Sequence, residues 1–153
     1  MKFRTVARTS AIPNNRLVYR ADEFSFDTEP PPVAGFTSIL VNDLNLEVDD
    51  AGRVISVWGV CPHMQWERAS LSPPVADVGE AFVISEEPLK RGVSTRMNPR
   101  NPPLADPTSG WIRIKSENVP DLATEILPGV ILETSRGGDF CSIWLRPEYF
   151  PKM

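Results

Sequence analysis

The chain has few of the side chains on which most enzymes depend. Its 153 residues include one histidine, His63, and two cysteines, Cys61 and Cys141. A structural zinc site usually takes four Cys or His ligands, so we expect no metal site here. Serine or cysteine nucleophiles would need His63 as their base, and Pro62 restricts how the Cys61 and His63 side chains could converge. Gly-x-Ser-x-Gly, Walker and Gly-x-Gly-x-x-Gly patterns are absent, so we expect no catalytic residue and no cofactor.

Long apolar runs are also absent. A membrane-spanning helix needs about 20 apolar residues, whereas the longest charge-free runs, residues 30–42 and 54–66, are shorter and contain proline. Arginines interrupt the first 15 residues, which leaves no signal-peptide core. These features predict a cytoplasmic protein without membrane contact, in which the two cysteines stay as buried thiols. Export would instead allow a disulfide between Cys61 and Cys141.

Stretches that could form a long helix are scarce. Sixteen prolines are spread through the chain, and each lacks the amide proton that a helix interior needs. Only residues 121–127 could form a helix of more than one turn, and they fit a strand as well. The sequence therefore predicts one all-β domain over residues 1–153. We expect an antiparallel sandwich or partly open barrel of roughly eight to ten short strands, with at most one short helix.

Two β-hairpins are clear in the sequence. Leu44, Leu46 and Val48 alternate with polar residues, and a turn at 49–52 leads into the apolar run 53–60. The strands of the second hairpin lie in residues 130–134 and 140–145. Further strand patterns occupy residues 3–8, 16–20, 24–26, 38–41, 81–85 and 111–115.

Charge of one sign is missing from long parts of the chain. The net charge of -4 gives no basic excess, so a nucleic-acid partner is not expected. Residues 1–20 carry five bases and no acid, residues 21–52 eight acids and no base, and residues 88–115 six bases and one acid. Basic and acidic strands could pair and cancel these charges. Alternatively, the acidic segment attracts a basic partner and speeds its association.

The attraction of a basic partner leads to the function that we rank first, a non-enzymatic protein that binds another protein. Small size, an acidic segment and a shortage of catalytic side chains favour a bacterial immunity or inhibitor protein that occludes a basic toxin or enzyme. The partner-binding residues would be the eight acids of the segment. They are Asp22, Glu23, Asp27, Glu29, Asp43, Glu47, Asp49 and Asp50.

A small-ligand or carbohydrate-binding domain is the alternative. Trp111 shares its expected strand face with Arg113 and Lys115, which predicts that it is the exposed tryptophan. Residues 88–110 show little strand pattern, as in a binding loop or a crossover between sheets. The candidate ligand-binding residues are Arg91, Arg96, Arg100, Trp111 and Arg113. An enzyme whose carboxylates meet only in space is a third hypothesis, because such pairs are defined by distance and not by spacing.

Overall fold

The structure, a computed structural model, describes residues 1–8, 10–97 and 101–153 and is built almost wholly of β-strands. The strands are β1 (Lys2–Ala7), β2 (Arg16–Arg20), β3 (Ser25–Glu29), β4 (Thr37–Val41), β5 (Leu44–Val48), β6 (Val54–Val60), β7 (Glu67–Arg68), β8 (Asp77–Ile84), β9 (Thr95–Met97), β10 (Leu104–Asp106), β11 (Trp111–Lys115), β12 (Leu122–Leu127), β13 (Val130–Thr134) and β14 (Phe140–Leu145). A single 3₁₀ turn at His63–Gln65 is the only helical element in these ranges. No helix within them is long and apolar enough to cross a membrane.

The strands form two mixed sheets that pack together. The large sheet has the order β1-β8-β12-β13-β14-β11-β10-β7, and the small sheet has the order β2-β3-β6-β5-β4-β9. Most neighbours are antiparallel, but β7–β10, β8–β12 and β4–β9 are parallel pairs. Neither sheet closes on itself within the described ranges. The predicted all-β sandwich is therefore confirmed.

Both predicted hairpins are present. In the first, Leu46 of β5 pairs with Val57 of β6, and in the second, Leu132 of β13 pairs with Ile143 of β14. The structure has more strands than the predicted eight to ten. Residues 121–127, which fitted a helix or a strand, contain β12, and the strands β7, β9 and β10 have only two or three residues each. Such strands are too short to show an alternating pattern. Two of them lie within residues 88–110, where the sequence showed little strand character.

The inner faces of the two sheets enclose the main core. Its fully buried members include Phe26, Ile39, Leu46, Ile112, Ile114, Ile126, Leu132, Ile143 and Leu145. Main-chain hydrogen bonds also join the sheets at two margins. The Val83 N–H of β8 donates to the Gly52 carbonyl at the β5–β6 turn (2.8 Å), and the Glu148 N–H donates to the Leu17 carbonyl of β2 (2.8 Å). These bonds fix the position of one sheet on the other.

The outer faces of the sheets are covered unequally. On the large sheet, Leu71 packs against Ile131 and Trp144, so the segment 69–76 lies over the centre of that face. On the small sheet, the loop before β4 approaches so closely that a Cβ on Gly35 would come within 1.8 Å of the Glu47 carboxylate. A larger residue at position 35 would require the Glu47 side chain to move. The opposite half of the face, around Trp58, is exposed to solvent.

Replacing Leu132 by alanine tests the assignment of the core. Leu132 is fully buried in a central strand, so Leu132→Ala should lower the free energy of unfolding by about 2–5 kcal/mol. Leu122 is 49% exposed, and Leu122→Ala is the matched control, with an expected loss of about 0.5 kcal/mol. Urea denaturation measures both. Equal losses would mean that the packing between the sheets is assigned incorrectly.

Candidate functional site

The cysteines and the histidine do not form a nucleophilic site. Both cysteines are free and buried, and Cys61 Sγ accepts a hydrogen bond from the Trp66 indole N–H (3.3 Å). Burial raises the pKa of the Cys61 thiol to about 11, so it is protonated at neutral pH. His63 Nδ1 lies 3.2 Å from the Tyr19 hydroxyl. Within the described ranges, no three His, Cys, Asp or Glu side chains are close enough to hold one metal ion.

Four of the eight acids from the segment 21–52 form ion pairs with arginines of this chain. On the paired strands β2 and β3, Arg16 lies opposite Glu29 at 3.1 Å, and Arg20 contacts both Asp27 and Glu29. Asp49 pairs with Arg53 (3.2 Å), and Asp43 pairs with Arg96 (3.4 Å). Charge cancellation between basic and acidic strands therefore occurs in the β2–β3 hairpin, as one of the two alternatives predicted.

The other four acids have different surroundings. The Glu47 carboxylate accepts a hydrogen bond from the Ser56 hydroxyl (2.9 Å) beneath the loop before β4. Asp22, Glu23 and Asp50 are exposed and form no ion pair with any described residue. Glu47 likewise forms no ion pair, so all four of these acids lack a paired base among the described residues.

The turns of the small sheet separate the acids into two groups. The β2–β3 turn, with Asp22 and Glu23, and the β4–β5 turn, with Asp43, lie at the end of the sheet where β6 finishes. The β5–β6 turn places Asp49 and Asp50 at the opposite end. The structure therefore does not gather all eight acids into one surface. It brings Asp22, Glu23 and Asp43 to one end.

Four large apolar side chains are exposed at that same end. We call them the Trp58 patch: Phe24 (39% exposed), Trp58 (41%), Val60 (51%) and Met64 (65%). Trp58 and Val60 occupy alternate positions on β6, and both side chains point away from the core. The pairing of Ser25 with Val60, and a hydrogen bond from the Cys61 N–H to the Phe24 carbonyl (2.8 Å), place Phe24 beside the end of β6. Several exposed apolar side chains near one end of a sheet make that end a candidate interaction site.

Buried aromatic rings support the Trp58 patch from below. The Tyr19 hydroxyl donates to the Cys61 carbonyl (2.9 Å) and accepts from the His63 N–H (3.0 Å), which fixes the loop after β6. The Tyr19 ring packs at 4.9 Å from both Phe26 and Trp66. Above this layer, the 3₁₀ turn at His63–Gln65 directs Met64 outwards. The loop after β6 and the Phe24 turn are therefore attached to a buried aromatic layer.

Phe24 has an unfavourable backbone conformation. Its φ is +56°, in the left-handed region that costs a non-glycine residue of this kind roughly 1–2 kcal/mol. The Phe24 ring lies 5.9 Å from the His63 ring and remains partly exposed. A strained turn that presents an aromatic side chain to water is a feature of functional surfaces.

The expected ligand-binding residues do not form one site. The Arg91 guanidinium lies over the Phe36 ring (5.0 Å), and Arg96 donates to the Asn42 carbonyl in the β4–β5 turn, so both belong to the small sheet. Arg113 lies on the large sheet, where it pairs with Glu133 at 3.1 Å. Arg100 lies outside the described residues. The basic segment therefore does not converge on Trp111.

Trp58, and not Trp111, is the most exposed of the four tryptophans. Trp111 is half-buried because its ring packs against Trp144 (centroids 6.2 Å apart), beside the segment 69–76. The sequence showed 53–60 as apolar on both faces and therefore did not single out Trp58 or Val60. Phe24 and Met64 lie outside any clear alternating pattern. No local pattern distinguishes them from core residues, since their exposure depends on which segments cover the sheet.

No family model matches the sequence of this chain, and no curated protein matches it. Function is therefore inferred from the surface described above.

The Cys61 thiol predicts a loss of stability at alkaline pH. Below pH 9 the thiol is protonated in both states, whereas between pH 9 and about 11 it ionises in the unfolded chain only. Rising pH across this interval should therefore lower the free energy of unfolding. Urea denaturation at pH 9 and pH 11 should show a smaller loss for Cys61→Ala than for the parent. The same loss in both proteins would contradict a raised pKa at Cys61.

Proposed function

We propose that the chain is a non-enzymatic protein that binds a basic protein through the Trp58 patch, as an immunity or inhibitor protein does. The observation that carries this proposal is the position of four exposed apolar side chains beside three exposed acids on one end of the small sheet. Apolar centres with polar margins are the usual anatomy of a protein–protein interface. The partner would be occluded by contact alone.

The apolar centre would supply most of the binding free energy. Tryptophan and other aromatic side chains dominate interface energetics, because each buries roughly 150–250 Å² of surface. Trp58 and Phe24 provide two such rings, and Val60 and Met64 extend the apolar area. Met64 has three rotatable bonds, so it can adapt to the partner surface. The rigid Tyr19 layer below limits the entropy that is lost on binding.

The acids at the margin would select a basic partner. Asp22 and Glu23 are exposed, have no ion pair with any described residue, and directly precede Phe24. Asp43 projects from the neighbouring turn, and its pair with Arg96 is exposed to water. Exposed charges of one sign steer an oppositely charged partner and weaken as salt is added. Of the eight predicted acids, these three are the ones we assign to the interface.

The shape of this surface favours a protein over a small ligand. A cavity next to Val60, lined by Asp43, Gln65 and Pro103 among others, has a volume of about 40 Å³. Small-molecule pockets are roughly 300–1,000 Å³. A partner protein needs no such pocket, because it covers a flat area. We therefore place the binding of a macromolecule at the Trp58 patch.

Substitutions at the centre and the margin should have different kinetic effects. The partner is first captured from a native cell lysate on the tagged chain, identified by mass spectrometry and purified for surface plasmon resonance. Trp58→Ala should raise Kd by at least about 30-fold, which is 2 kcal/mol, mainly through faster dissociation. The double variant Asp22→Asn with Glu23→Gln should slow association several-fold at low salt and leave dissociation nearly unchanged.

An adjacent pair of exposed acids elsewhere provides the matched control. Glu86 and Glu87 lie in the loop after β8, and the double variant Glu86→Gln with Glu87→Gln changes the net charge by the same amount. Its association rate should equal that of the parent. If both double variants slow association equally, net charge is responsible and the assigned margin is wrong. If Trp58→Ala binds like the parent, the patch is not the interface.

A further inference from the structure

A groove beside Trp111 lies away from the Trp58 patch. It has a volume of about 240 Å³ and receives residues from both sheets. Its polar and aromatic lining consists of Arg16, Trp111, Glu125, Arg146 and Glu148, and Gly129 also lines it. Arg16 begins β2, whereas the acids at the margin of the Trp58 patch follow the end of β2. The two sites are therefore separated by the full length of this strand.

One wall of the groove is a fixed indole ring. Ile112 of β11 pairs with Leu145 of β14, so the next position along places Trp111 opposite Arg146. The guanidinium carbon of Arg146 lies 6.0 Å from the centre of the Trp111 ring. Trp111 meets the buried Trp144 ring edge-on, with an interplanar angle of 80°. This contact holds the indole in one orientation while part of it remains exposed. The partly exposed indole and the Arg146 guanidinium that lies over it together form this side of the groove.

Gly129 packs directly against the main chain of Arg146 beside the groove. Its carbonyl accepts a hydrogen bond from the Arg146 N–H (2.8 Å), and its φ is +76°. A Cβ at this position would lie 2.6 Å from the Arg146 carbonyl oxygen, which is too close for any other residue. The turn between β12 and β13 is therefore held against Arg146.

The charges of the groove balance each other. Arg16 forms ion pairs with Glu148 (2.9 Å) and Glu29 (3.1 Å). The charge of Glu148 raises the pKa of the Arg16 guanidinium. Arg146 and Glu125 form no ion pair with any residue in the described ranges. The groove thus offers one free donor group and one free acceptor group without net charge. This balance favours a neutral ligand, and ion pairs in so open a site would contribute little.

We propose that this groove binds a single saccharide residue. A pyranose ring has an apolar C–H face that can lie against the Trp111 indole, and its hydroxyls can accept hydrogen bonds from Arg146 and donate them to Glu125. The volume is below the range of drug-sized pockets, in keeping with one sugar ring. The site shares no residue with the Trp58 patch, so it does not depend on the function proposed above.

The four tryptophans provide a direct assay. In ¹⁵N-labelled protein each indole N–H gives its own NMR signal, assigned from single Trp→Phe variants. The probes are the methyl glycosides of glucose, galactose, mannose and N-acetylglucosamine, each added separately at millimolar concentrations. At least one should shift the Trp111 signal in a saturable manner and leave the Trp58 signal in place. Acetate and phosphate serve as anionic probes.

Surface variants keep the test independent of folding. Trp111→Ala removes a contact with Trp144, so Arg146→Ala and Glu125→Gln are the main variants, and each should weaken glycoside binding at least tenfold. Arg136→Ala, an exposed arginine in the β13–β14 turn, should bind like the parent. The proposal is overturned if no glycoside moves the Trp111 signal, if all four indole signals move together, or if only the anions bind. Unchanged binding by both main variants would overturn it as well.

Discussion

The Tyr19 hydroxyl holds together the end of the molecule on which the proposed function depends. It joins β2 to the loop after β6 by donating to the Cys61 carbonyl and accepting from the His63 N–H. Burial raises the pKa of this hydroxyl to about 12, so it keeps its proton at physiological pH. Because the loop is tied down from below, Val60 and Met64 can remain exposed without collapsing onto the core. The strained Phe24 turn is attached to the same place through the Cys61 N–H.

The segregation of charge along the sequence has two consequences in the fold. Where a basic strand meets an acidic strand, as in β2 and β3, the charges pair and the surface becomes nearly neutral. Such exposed pairs contribute little to stability. They do, however, neutralise the negative charge of the acids on β3. Among the acids in the turns, Asp22, Glu23 and Asp50 form no ion pair with a described residue, so unpaired negative charge remains at both ends of the sheet. One of these ends also carries the Trp58 patch.

Local patterns in the sequence predicted the sandwich and its two hairpins, because alternation and turn residues act over a few positions. Leu44, Leu46 and Val48 face the core as the alternation requires. The sequence left open whether Arg16 and Arg20 pair with acids of the same chain. The order of the strands decides this, because it places β2 beside β3. The short strands β7, β9 and β10 could not be predicted, since two or three residues are too few to show an alternating pattern. Nor could the exposure of Trp58 and Val60, since it depends on how much of the outer face of the small sheet the loop before β4 covers.

Hydrogen–deuterium exchange of the chain with and without its purified basic partner tests the Trp58 patch as the interface most directly. The account predicts slower exchange on binding at residues 22–24 and 60–65, with little change on the outer face of the large sheet. It also predicts that added salt reduces this protection, since the acids steer the partner. Protection confined to the large sheet, with residues 22–24 and 60–65 unaffected, would contradict it.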